Sequence, residues 1–184
     1  PLFVKTRPAR RFLAYLFSLH APLIPELHAA IKYQLTLCRK GALDGYGEVY
    51  FTAWKDGKDI TLDATELCVQ DLMRSACLVS DPSVAKAVRR VLAVFHLNKT
   101  EKGVDELLLR LYRPILFRLL CAPNPGVRQR TTQIFVDAFP LVPTPGLPDR
   151  ETSLDGRDVT LLQRQFDHFD HLLADDAPAV RCAA

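Results

Sequence analysis

Two short openings restrict what this chain can fold into more than any other feature. Ser80-Asp81-Pro82-Ser83-Val84 and Pro123-Asn124-Pro125-Gly126-Val127-Arg128 share a polar residue, a proline, and a valine two positions on, with Pro82 and Pro125 standing 43 residues apart. Each part has a mechanical reason. Asp81 or Asn124 can accept an orphan amide hydrogen bond at a helix start. Proline fits the first helical position, where its missing N–H costs nothing. The valine then begins a buried stripe. Val84, Val88, Val91, Leu92 and Phe95 correspond to Val127, Thr131, Ile134, Phe135 and Ala138, and both sets mark one face of an α-helix. A third opening, Asp176-Ala177-Pro178-Ala179-Val180-Arg181, follows 53 residues after the second. Arg128 or Arg181 can reach a neighbouring helix end or a carboxylate.

A period of this length built from two helices matches HEAT or armadillo arrays. The repeat-defining residues are then Pro82, Val84, Pro125, Val127, Arg128, Pro178, Val180 and Arg181. The fold class read from this is all-α, a helical-pair solenoid, with residues 1–184 forming one repeat region. The longer third spacing has a visible source. The stretch from about 140 to 157 contains Pro140, Pro143, Pro145, Gly146, Pro148 and Gly156, and reads as a loop between repeats.

Helical periodicity also places segments near Arg7–His20, Glu26–Lys40, Tyr46–Lys55, Leu62–Leu78, Pro82–Leu97, Val104–Cys121, Pro125–Phe139 and Val159–Leu173. Pro114 should kink or split the sixth of these. Gly41-Ala42-Leu43-Asp44-Gly45-Tyr46-Gly47 does not follow a strand and reads as an interhelical turn rather than a phosphate cradle.

The formal charge is +3 overall, but it is unevenly spread. Residues 1 to 40 carry seven cations against Glu26 alone, whereas residues 141 to 184 carry four arginines and eight carboxylates. The basic end suits an acidic partner such as DNA, with Arg10, Arg11, Lys32, Arg39 and Lys40 as candidate contacts; the alternative is a solvated helix face. No apolar run approaches the ~18 residues that a membrane span needs. Pro1-Leu2-Phe3 lacks a methionine and a leader pattern, and the C-terminus stops in what reads as a first helical turn, so both ends are expected to be cuts in a longer polypeptide.

Enzymatic chemistry finds little footing. No nucleophile elbow, H-E-x-x-H, Walker or G-x-G-x-x-G pattern occurs. His168 and His171 can share a helix face, but a third ligand with fitting spacing is not evident, and a polar helix face accounts for them better. The five cysteines are Cys38, Cys68, Cys77, Cys121 and Cys182; none forms a C-x-x-C pair, and the first four are expected to be reduced core residues of an intracellular protein. Tyr50, Phe51 and Trp54 beside Lys55 are expected to pack between helices rather than stack on a partner. No catalytic, cofactor or metal residue is assigned.

Several stretches carry a more specific resemblance. Leu111-Tyr112-Arg113-Pro114-Ile115-Leu116-Phe117-Arg118 and Phe135-Val136-Asp137-Ala138-Phe139-Pro140 look like two motifs of the non-SMC G-type subunits of condensin II, with Phe117 in place of the family's tryptophan. Arg10-Arg11-Phe12-Leu13, Glu48-Val49-Tyr50-Phe51, Ala53-Trp54-Lys55, Gln70-Asp71 and Lys102-Gly103-Val104-Asp105-Glu106 follow in family order, so the resemblance covers most of residues 8 to 181. The loop from Leu141 to Gly156 departs from it, being longer and richer in proline, with Val142-Pro143 where the family has D-P.

The resemblance implies a HEAT-repeat scaffold that is nuclear and chromosomal and serves mitotic chromosome condensation. It implies binding to the H-type kleisin subunit, with an SMC ATPase pair and a second HEAT subunit reached through the complex, engagement of DNA or chromatin, and no membrane. ATP hydrolysis would belong to the SMC subunits. The competing readings are a generic HEAT or armadillo adaptor for transport or a phosphatase, and an enzyme using His168 and His171 or a cysteine.

Overall fold

A computed structural model describes residues 3–38, 40–146 and 149–184. Among the described residues, nine α-helices follow a 3-10 turn at Phe3–Lys5: α1 (Arg7–Leu19), α2 (Leu23–Leu35), α3 (Lys40–Asp56), α4 (Asp59–Leu78), α5 (Pro82–Leu97), α6 (Val104–Leu120), α7 (Pro125–Ala138), α8 (Leu161–Leu173) and α9 (Pro178–Arg181). The fold is all-α, of the helical-repeat kind. The chain forms two compact units, Pro1–Leu97 and Asn98–Ala184.

Alternate helices pack side by side within each unit. In the first, α1 lies against α3 and α3 against α5, while α2 lies against α4; α4 also packs broadly on α5. In the second, α6 packs on α7 and α7 on α9, while α8 packs on α9. This is how helices with one oily flank each hide it, since a lone amphipathic helix cannot. Val69, Leu72 and Met73 of α4 and Val88, Val91, Leu92 and Phe95 of α5 are essentially inaccessible. Leu107, Leu108, Leu116, Phe135 and Ala138 play the same part in the second unit.

The helix starts follow the capping logic. The Asp81 carboxylate accepts from the backbone N–H of Ser83 at 2.8 Å and of Val84 at 3.4 Å. Asn124 Oδ1 accepts from Gly126 N at 2.8 Å and Val127 N at 3.3 Å. Pro82, Pro125 and Pro178 each stand first in their helices. Val84 and Val127 are only half-buried, while the next members of their stripes, Val88 and Thr131, are buried; Val180 is fully buried. Arg128 reaches both kinds of partner open to it. Its Nε and Nη2 donate to the Asp175 carboxylate at 2.6 and 2.8 Å, and Nη1 donates to the carbonyls of Ala122 and Pro123 beyond α6. Arg181 donates to the carbonyls of Asp175 and Asp176.

Three expectations need correction, and a fourth is narrowed. The glycine-rich stretch 41–47 is not a turn: it forms the first turns of α3. A Cβ at Gly45 would stand 2.6 Å from Val4 Cγ1, and one at Gly47 would stand 2.6 Å from the Val91 carbonyl oxygen. Those glycines let neighbouring chain approach the helix, which outweighs their poor helix propensity.

Pro114 does not split α6, which is continuous from Val104 to Leu120. The proline is exposed, so the ladder is interrupted on the water side. The proline-rich loop is not wholly irregular. Glu151 pairs with Val159 and Thr152 with Asp158 in a minimal antiparallel ladder, β1 (Glu151–Thr152) and β2 (Asp158–Val159), so α8 starts two residues later than periodicity suggests. Cys121, expected in the core, is exposed at the end of α6, and Cys38, expected there too, is only half-buried; Cys68 and Cys77 are buried, and none of the five is in a disulfide.

Candidate interaction surface

The first unit turns an unusual outer face to solvent. Phe12, Tyr15 and Leu19 on α1 are about half exposed, Tyr33 near the end of α2 is 71% exposed, and Leu37 just beyond it is 64% exposed. Lys5, Arg7, Arg11 and Lys40 are exposed as well. On α1, large apolar side chains and the cations Arg7 and Arg11 are exposed together, a composition that suits a binding surface.

The five candidate cations do not share one environment. Arg11 and Lys40 are exposed. Arg10 turns inward: its Nη1 donates to the carbonyls of Val4 and Lys5 at 3.2 and 3.1 Å, and its Nε pairs with Glu48 at 2.6 Å. Lys32 is also engaged, donating to Asp71 at 2.5 Å and to Ser75 Oγ at 3.1 Å. Arg39 lies outside the described residues.

Lys32 belongs to a polar network between α2 and α4 that no motif announces. His28 Nε2 meets Asp71 Oδ2 at 2.9 Å, and His28 Nδ1 meets the buried Tyr50 hydroxyl at 2.7 Å. Burial lowers the His28 pKa, although Asp71 opposes that shift. Burial alone would raise the Asp71 carboxyl, but hydrogen bonds from Lys32 and His28 prevail and hold it below the ordinary range. Burial pushes Tyr50 well above its ordinary value. With Tyr50 on α3, the network ties three helices together and pairs its partly buried polar groups with one another, which is a structural role. Asp44 and Arg90 form a second such link, from α3 to α5.

The remaining candidates resolve into packing. Phe51 and Trp54 lie edge-on to Phe95 with centroids 5.4 and 6.4 Å away, and Trp54 Nε1 donates to Glu66. His168 is not on a polar face as expected. It is 1% exposed and stacks on Phe117 with ring centroids 5.0 Å apart. Its burial, with Arg164 and His171 adding to the effect, pushes its pKa down to about 4. His171 is exposed. Among the described residues, no group of three or more His, Cys, Asp or Glu is arranged to hold a metal ion. No described helix is long and apolar enough to cross a membrane.

Comparison with known proteins decides the family. Residues 1–143 match the family described as the condensin II non structural maintenance of chromosomes subunit. The chain belongs to that family. Its curated relatives include the condensin-2 complex subunit G2 of Mus musculus, 38% identical over 181 residues, and that of Xenopus laevis, 35% identical over the same number, each covering 97% of this chain. The Homo sapiens subunit G2 is 38% identical over 183 residues. The chain spans about 15% of the length of these condensin-2 relatives. No solved structure matches it. Both motifs that carried the resemblance lie on the second unit: 111–118 within α6, and 135–140 running from α7 into the loop.

Proposed function

We propose that this segment is a non-catalytic scaffold of condensin II, serving mitotic chromosome condensation in the nucleus by holding the H-type kleisin subunit and contacting DNA. The SMC ATPase pair and the second HEAT subunit would be reached through the assembled complex. The observation that carries the reading is the family match over residues 1–143. It also leaves the transport and phosphatase adaptor readings without support of their own. Paired helices that present a long mixed face are suited to an extended partner segment. Co-purification of the full-length protein with the H-type kleisin tests the partner; a full-length protein that elutes alone overturns it.

For DNA, the exposed cations of the first unit are the residues we propose, with Arg11 and Lys40 foremost and Arg39 beside them in sequence. Arg10 and Lys32 already serve carboxylates of the protein. Reversing Arg11, Arg39 and Lys40 to glutamate in the full-length protein should weaken DNA binding. It should also lower the salt slope by about 0.9 for each phosphate no longer neutralised. An unchanged slope overturns the assignment.

A further inference from the structure

Thr144-Pro145 is the only Ser-Pro or Thr-Pro dipeptide in the sequence. It lies in the irregular segment between α7 and β1, and the fold moors that segment on either side. Before it, the buried Gln165 side chain grips Leu141, accepting from its N–H at 2.7 Å and donating to its carbonyl at 2.9 Å. Lys99 donates to the carbonyls of Ala138 and Pro140. After it, Asp149 accepts from the backbone N–H of Leu161 at 2.7 Å. Thr144 itself is half-buried, with the exposed Pro145 and Gly146 following it, and Gly146 turns the chain at a φ of +83°.

Thr144 lines a cleft of about 270 Å³ with Leu109, Arg113, Asp149, Arg150, Glu151 and Leu161, among others. Two arginines, Arg113 and Arg150, therefore share the cleft with Thr144. Two carboxylates do as well, and both are already engaged. Asp149 holds the start of α8. Glu151, 7% exposed, takes Arg113 Nη2 at 2.5 Å on one oxygen and Arg164 Nη1 at 2.5 Å on the other. Because Arg164 also holds Glu151, Arg113 can offer its remaining N–H donors to a second anion without orphaning a buried charge.

We propose that Thr144 is a phosphorylation site for a proline-directed serine/threonine kinase, and that Arg113 and Arg150 receive the phosphate and pin the loop. In the transfer, Thr144 Oγ1 attacks the γ-phosphorus of magnesium-bound ATP. The bond from that phosphorus to the β,γ-bridging oxygen breaks, ADP leaves, and the hydroxyl proton passes to the kinase's base. Proline after the threonine supplies no backbone N–H to bury unpaired in the kinase, which is the physical basis of such selectivity. The product carries a charge near −2 and three strong acceptors, and arginine forks bind such groups in two-point fashion. Asp149 and Glu151 oppose the new charge, so the outcome depends on Arg113. This inference does not rest on the choice of partner proposed above.

The test uses the full-length protein, a proline-directed kinase and magnesium ATP. Mass spectrometry should place a phosphate on Thr144, absent in Thr144→Val. Amide exchange across residues 141–146 should then slow about tenfold, the size expected for one or two new charge-assisted bonds. In Arg113→Gln the phosphate should still be added and the slowing should vanish; Arg150→Gln, an exposed change, should reduce it. A folded protein left unphosphorylated at Thr144 overturns the site, whether or not a free peptide of residues 138–150 is modified. Phosphorylation without slowing, or slowing that survives loss of Arg113, overturns the arginine cradle.

Discussion

His168 shows what a single polar atom can do inside an oily wall. Its ring fills space between Phe117 and Phe135, but its Nε2 is buried without a hydrogen-bond partner. The folded protein holds its pKa near 4 against an ordinary 6.5, so the unfolded chain takes up the proton first as pH falls. The stability contributed by the neutral ring is complete above pH 6.5 and is lost between 6.5 and about 4. By pH ~5 that loss should reach about 2 kcal/mol. In His168→Phe the stacking survives, the orphan nitrogen goes, and this part of the acid sensitivity should disappear. Urea unfolding at about pH 7.5 and about pH 5 would show it, and equal acid losses in both proteins would refute it.

Arg128 presents the opposite case, a polar group with every need met. It joins the Asp175 carboxylate, itself 7% exposed, to two carbonyls past the end of α6. Hydrogen bonds from Arg128, chief among several causes, hold Asp175 below its ordinary pKa. Truncation to alanine leaves the Asp175 carboxylate with the Ala177 N–H but no cation, so Arg128→Ala should cost roughly 2 kcal/mol in denaturant unfolding. Arg128→Lys should recover only part of that, since one ammonium cannot span both partners.

Among the helices, α3 separates two kinds of glycine. A Cβ at Gly41 would meet nothing within 4 Å, whereas one at Gly47 would press on the Val91 backbone. Gly41→Ala should therefore stabilise by up to about 1 kcal/mol through helix propensity. Gly47→Ala should destabilise by about 1–3 kcal/mol, because a backbone oxygen of α5 has to move. Thermal melts of the two variants should shift in opposite directions.

The same helix marks where sequence reading succeeds and where it stops. Periodicity locates α5 at its true bounds and α7 to within a residue, because their caps and stripes are local signals. It misplaces the start of α3, because glycine looks like a turn until the neighbour that needs the space is known. It sees two histidines on α8 and assigns them to water, because nothing local reveals Phe117 waiting opposite. Charge counting gathers seven N-terminal cations into one group, but only tertiary contacts separate Arg11 from Arg10 and Lys32. The His28, Asp71 and Lys32 network joins positions 39 and 43 residues apart, beyond any motif.

For the molecule as a whole, the exposed side chains of the first unit suit the scaffold role proposed above. A chain spanning about 15% of its relatives' length cannot hold a whole complex, but it can present one stretch of surface to it. The first unit supplies exposed cations and aromatic rings on α1 and α2. The second carries the family motifs and the proline-rich loop. The salt-slope and phosphorylation experiments therefore address different units, and failure of one leaves the other standing.

The grips on Leu141 and Leu161 have a further consequence. Both flanks of the proline-rich loop are fastened by side chains, so its length is uncoupled from the register of the helices around it. Extra residues spliced in after Gly146 would add only closure entropy, about 0.6 kcal/mol for each doubling. The loop is where a lineage can lengthen this protein, or an experimenter can insert a fluorescent tag, without disturbing the stack.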